Sequence, residues 1–213
     1  MKLPLSIQTK QTTRLFNGKY KYKIVLVSKA ASWFRGANLE SVKSNAAVID
    51  RKSQPIWAQK LSHDDVDYVN HLVNTMEKAP DFIIRVESPY INFYTNNVTD
   101  IEKLAKIKET SVKYVSYPAP GSESDLDNKK IIVKTLDFAY RVTMGRSKQN
   151  YSSFLHWCEN IDRVRLTKRA RLQLAKNSSW GGYYFYVKDD KTLTMVKMFV
   201  GGNILSVEHC VKQ

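Results

Sequence analysis

The densest group of chemically capable side chains is a run of six cations: Arg163, Arg165, Lys168, Arg169, Arg171 and Lys176. Only Glu159 and Asp162 lie close enough in sequence to neutralise them. Thr167 stands where a helix N-cap would fall, which puts Lys168 and Arg169 in the first turn of a helix running to Lys176. The helix dipole disfavours cations there, by roughly 0.3–1 kcal/mol each. A sequence that keeps two cations at that position offers phosphate both charge and unpaired N–H groups. Arg141, Arg146 and Lys148 extend the basic set upstream, and Lys19, Lys21 and Lys23 make an alternating stripe near the start of the chain.

Aromatic residues supply the second ingredient of nucleic-acid chemistry. Stacking of a base on an aromatic ring is worth about 1–3 kcal/mol. Tyr183, Tyr184, Phe185 and Tyr186 are consecutive, so a strand would send one pair into a core and the other to the opposite face. Trp180 precedes Gly181-Gly182 and is expected in a loop.

His63, Asp67 and His71 recur at i, i+4 and i+8, so one helical face could hold a divalent ion that activates water for phosphodiester cleavage. A simpler account of the surrounding Asp64 and Asp65 is an acidic first turn that complements the helix dipole behind a Ser62 cap. The paired glycines sit between predicted strands, no glycine-rich phosphate loop is present, and no Gly-x-Ser-x-Gly elbow occurs. Cys158 and Cys210 have neither disulfide-framework nor zinc-pair spacing and are expected as small hydrophobes. No cofactor is expected.

The formal net charge is +14, unevenly spread. Up to Asp127 there are 18 Lys and Arg against 14 Asp and Glu, and from Asn128 onward 16 against 6. That asymmetry points to a polyanionic partner. The expected function is non-enzymatic nucleic-acid binding, DNA or RNA, through phosphate contacts from the basic C-terminal surface. The alternative is a structural or adaptor subunit that docks an acidic protein, and the third reading is a metal-dependent nuclease on His63, Asp67 and His71. Apolar runs such as Ile24–Val27 are far short of the roughly 20 residues a membrane helix needs, and residues 1–10 lack an apolar leader. A cytoplasmic or otherwise intracellular protein without a membrane partner is therefore expected. The lysine-, asparagine- and tyrosine-rich chain without familiar motifs suits a viral or mobile-element gene.

The elements that must position these groups are predicted as an α+β protein. The 1–118 region reads βαββαβ, a ferredoxin-like order. Its strands are 19–27, 82–87, 91–95 and 112–117. Its helices begin at Ser62, with Asp65 as capping-box partner, and at Thr99, with Glu102. A further short helix is expected near 38–45. The basic–Gly–aromatic run of RNA-recognition modules is missing from 91–96, so that family is not invoked. The 119–128 stretch, with prolines, glycine, serines and acids, reads as a linker or long loop. The 129–213 region is expected to place two helices, 154–161 and 168–176, on an antiparallel β-meander of 183–187, 193–200 and 204–211.

Overall fold

The computed structural model describes residues 2–36, 38–49, 61–133 and 136–212. The chain divides into two units, Met1–Glu123 and Ser124–Gln213, and the division falls inside the 119–128 stretch. Among the described residues the architecture is α+β, with two five-stranded mixed sheets and seven α-helices.

In the first unit the strands are β1 (Thr9–Thr12), β2 (Tyr22–Val27), β3 (Phe82–Glu87), β4 (Tyr90–Thr95) and β5 (Val112–Pro118). The helices are α1 (Leu39–Ile49), α2 (His63–Met76) and α3 (Val98–Ile107). The sheet order is β1-β5-β2-β4-β3, antiparallel throughout except for the parallel β1–β5 edge. Ile24, Leu26, Ile91, Phe93 and Val115 leave one face of this sheet and meet Val69, Leu72, Val73 and Met76 of α2 and Ile101, Leu104 and Ala105 of α3. Each such side chain contributes on the order of 1.5–3 kcal/mol of burial. The α2 capping box forms as its spacing predicts, with Ser62 and Asp65 exchanging bonds. The expected Thr99–Glu102 box does not cap α3. Asn97 does so instead, its side-chain oxygen accepting the Thr99 N–H at 3.1 Å, because the helix begins two residues earlier than the box requires. The short helix expected near 38–45 is part of α1, and residues 50–60 lie outside the described residues.

A short helix, α4 (Glu123–Asp127), occupies the predicted linker, where Ala119, Ser122 and Leu126 are buried rather than solvated. The second unit then contains β6 (Ile131–Val133), β7 (Tyr140–Met144), α5 (Ser152–Glu159), β8 (Val164–Leu166), α6 (Lys168–Ala175), β9 (Tyr184–Val187), α7 (Asp190–Val200) and β10 (Ile204–Lys212). Its sheet order is β6-β10-β7-β9-β8, with only β6–β10 parallel.

The expected β-meander is not formed. Residues 193–200, predicted as its central strand, are the helix α7, and β7 lies between β9 and β10. The β-branched composition suggested a strand, but Leu193, Val196 and Val200 are buried at spacings of three and four, a helical period. Asp189 caps that helix by accepting the Thr192 N–H at 2.8 Å. Gly201–Asn203 forms a 3-10 turn. Three helices therefore cover the core of Val142, Phe154, Phe185, Leu174 and Val196. No helix among the described residues is long and apolar enough to cross a membrane.

Candidate nucleic-acid interface

The start of α6 is fixed by Thr167. Its Oγ1 accepts the Ala170 N–H at 3.1 Å and donates to the Tyr184 carbonyl at 2.7 Å, which ties the helix to β9. β8 pairs antiparallel with β9 so that Arg165 stands opposite Tyr186. Val164 and Phe185 enter the core, so Arg165 and Tyr186 leave from the other face of the sheet. A groove of about 380 Å³ opens here, lined by Arg165, Leu166, Thr167, Lys168 and Tyr186 together with Val133 and Leu136.

The basic run divides into two classes. Arg163 Nη1 lies 2.8 Å from Asp189 Oδ2, and Arg171 Nη1 lies 3.5 Å from Glu159 Oε1. The Thr192 N–H and hydroxyl, and then Arg163, hold the Asp189 carboxyl below the usual carboxylate range, so this acid stays ionised beside its arginine. By contrast Arg165, Lys168, Arg169 and Lys176 are exposed, and among the described residues none has a carboxylate within 4.0 Å.

Arg146 and Lys148 lie on a separate groove of the same unit, of about 680 Å³, shared with Ser147, Gln149, Ser179 and Asn203. Backbone bonds hold its walls: Gly145 N–H to the Asn203 carbonyl at 2.7 Å and Gly182 N–H to the Met144 carbonyl at 2.7 Å. Gly181 packs so closely on 145–146 that a Cβ there would come within 2.5 Å of the Gly145 carbonyl carbon. The Arg146 guanidinium sits 5.9 Å from the Trp180 ring, and Trp180 is 69% exposed. Tertiary contact between strand end and loop creates this pairing. Its only sequence signal was the Trp-Gly-Gly run.

Arg141 does not extend the exposed surface. Its guanidinium lies 3.8 Å over the Tyr184 ring, its Nε is 3.9 Å from Glu208, and the residue is buried. Tyr183 and Phe185 form the core pair of the tyrosine-rich strand, while Tyr184 and Tyr186 pack edge to face on the opposite side, half-buried.

The lysine stripe of the first unit is engaged at both ends. Lys19 Nζ lies 2.8 Å from Asp81, which also accepts the Tyr20 hydroxyl at 3.0 Å. Lys19 and then Tyr20 keep the Asp81 carboxyl below its ordinary range. The Lys21 N–H donates to Asn96, and Lys23 Nζ stands 5.4 Å from the rings of both Tyr94 and Tyr114.

His63, Asp67 and His71 are exposed on α2, and no group of three or more His, Cys, Asp or Glu that could hold a metal ion occurs among the described residues. Asp65 is committed to the Ser62 N–H and to Lys29 Nζ, each at 3.0 Å. Burial pushes the Cys158 thiol up to about 12 and the Cys210 thiol to about 11, so both stay protonated at neutral pH and are poor nucleophiles. Neither a family model, nor a curated protein, nor a solved structure matches this chain.

Proposed function

We propose that this protein binds nucleic acid through the cationic edge of its second unit and carries out no reaction on it. The observation that carries this reading is the groove at the first turn of α6, lined by Arg165 and Lys168 with Arg169 exposed next in the helix, all three without acidic partners among the described residues. Cations in that turn cost helix stability, and a bound phosphate would repay the cost by accepting hydrogen bonds from the helix N–H groups. Arg163 and Arg171, paired with their own acids, act as support rather than as contacts.

The first unit, in the same proposal, is a ferredoxin-like core with one added strand. Taking β2, β3, β4 and β5 as first to fourth, their order across the sheet is fourth, first, third, second, all antiparallel, which is the split βαβ arrangement. β1 then extends its edge.

Affinity built on phosphate contacts falls with salt, because each neutralised phosphate releases counterions. Fluorescence anisotropy with labelled oligonucleotides across a salt series is expected to give a log–log slope of about −3 or steeper. Flat anisotropy at low salt would reject the proposal.

One observation favours a second reading, the docking of an acidic protein. On α7, Met198 is 83% and Phe199 42% exposed, beside Met195 and Lys191. An acidic amphipathic helix would cover that apolar stripe and meet the lysine. A stable complex with one protein, without retention on nucleic acid, would favour it.

A further inference from the structure

Tryptophan is rarely left open to water, since its large ring gains more from burial than most side chains. Trp180 is nevertheless 69% exposed, on a segment held firmly in place. Met144 and Tyr183 bond through their backbones at 2.9 Å, Gly182 returns to Met144, and Gly181 lies flush on Gly145 where no larger residue fits. On the facing wall Asn203 donates to Gln149 at 2.7 Å. The ring is thus presented rather than tucked away, with the Arg146 guanidinium 5.9 Å from it.

The groove beside it is chemically specific. None of the side chains lining it is apolar, which disfavours a hydrophobic peptide. Two of them, Arg146 and Lys148, are cations, and Ser147, Gln149, Ser179 and Asn203 supply donors and acceptors. Its volume of about 680 Å³ is within the range of roughly 300–1,000 Å³ seen for ligand sites.

We propose that Trp180 and Arg146 form a stacking site for a base of single-stranded nucleic acid, with Arg146 and Lys148 holding the flanking phosphates and the polar wall meeting the base edge. This rests on the nucleic-acid reading above and adds the strandedness of the ligand. A base must be unstacked to offer its face to a protein ring, which a single strand allows and a duplex resists.

The test compares wild type with Trp180→Ala and Trp180→Phe, using oligo-dT, oligo-U and a duplex of equal length. Single strands are expected to quench tryptophan fluorescence in the wild type. Trp180→Ala should lose that quenching and bind single strands on the order of tenfold more weakly. Its duplex affinity should stay unchanged, and Trp180→Phe should recover most of the loss. The preferred strand, oligo-dT or oligo-U, then identifies the sugar. Undiminished single-strand binding by Trp180→Ala would overturn the stacking site while leaving phosphate binding intact. A wild type that binds none of the three would remove both proposals.

Discussion

Lys19, Lys21 and Lys23 on the first unit and Arg165, Lys168 and Arg169 on the second are both short, dense groups of cations. In the first group, Lys19 is held by Asp81 and Lys23 rests near two tyrosine rings. In the second, Arg165 and Lys168 line an open groove, Arg169 is exposed beside Lys168, and none finds a carboxylate among the described residues. On the proposed reading, availability, more than the number of charges, decides which basic group takes a phosphate. A cation already satisfied by its own fold must give up that partner before it can bind another.

The sharpest way to break this comparison is charge reversal. Lys168→Glu with Arg169→Glu is expected to weaken oligonucleotide binding on the order of 100-fold, measured by anisotropy at fixed salt. The thermal midpoint should hold or rise, because acids in a first helical turn are favoured by about 0.3–1 kcal/mol each. Replacing Lys19, Lys21 and Lys23 with Ser should change affinity less than about threefold. If the stripe mattered more than α6, the assignment of the two groups would be reversed.

A second contrast lies within the second unit. Gly181→Ala forces a methyl group against the 145–146 backbone and is expected to cost roughly 1–3 kcal/mol in urea unfolding. Gly201→Ala enters open space and should stay within about 0.5 kcal/mol. Equal effects would mean that the Trp180 platform is not held by that close packing.

The smallest expected effect concerns the Lys19–Asp81 pair. The depressed Asp81 carboxyl stabilises the fold above the ordinary carboxylate range, and this is lost as pH falls through its lower folded value. Lys19, raised above 10.5 chiefly by the same Asp81 hydrogen bond, contributes below 10.5 and loses its contribution as pH rises through its raised value. Asp81→Asn should therefore flatten both flanks of the thermal-midpoint profile against pH while leaving nucleic-acid affinity nearly unchanged. An unaltered profile would show that Lys19 is not held by this pair.

Much of the local structure was legible in the sequence. The Ser62–Asp65 box, the strands at 82–87 and 91–95, the Thr167 cap and the alternation of Tyr183 to Tyr186 were all readable from spacing. α7 was not, because Thr194, Val196 and Val200 suit a strand as well as a helix, and the burial of Leu193, Val196 and Val200 on one face, which selects the helix, is a property of the packed core. For the candidate site, the sequence named Arg165, Lys168, Arg169, Arg146 and Lys148 but did not set Arg163 and Arg171 apart from them, and it offered Lys19, Lys21 and Lys23 as a further stripe. It also left open which side chains of the tyrosine run would be exposed.

The sequence by itself determined the caps, the helical and strand periods and the concentration of charge toward the C-terminus. Those depend on neighbours within a turn or two, or on composition alone. Only the tertiary structure decided which cations keep an open side. Asp189 reaches Arg163 across 26 positions and Asp81 reaches Lys19 across 62, while Arg141 is covered through its packing on Tyr184 and Glu208. Ion pairs and ring contacts act over a few ångströms, and strand register and helix docking, set by burial of the whole core, determine who stands within that distance.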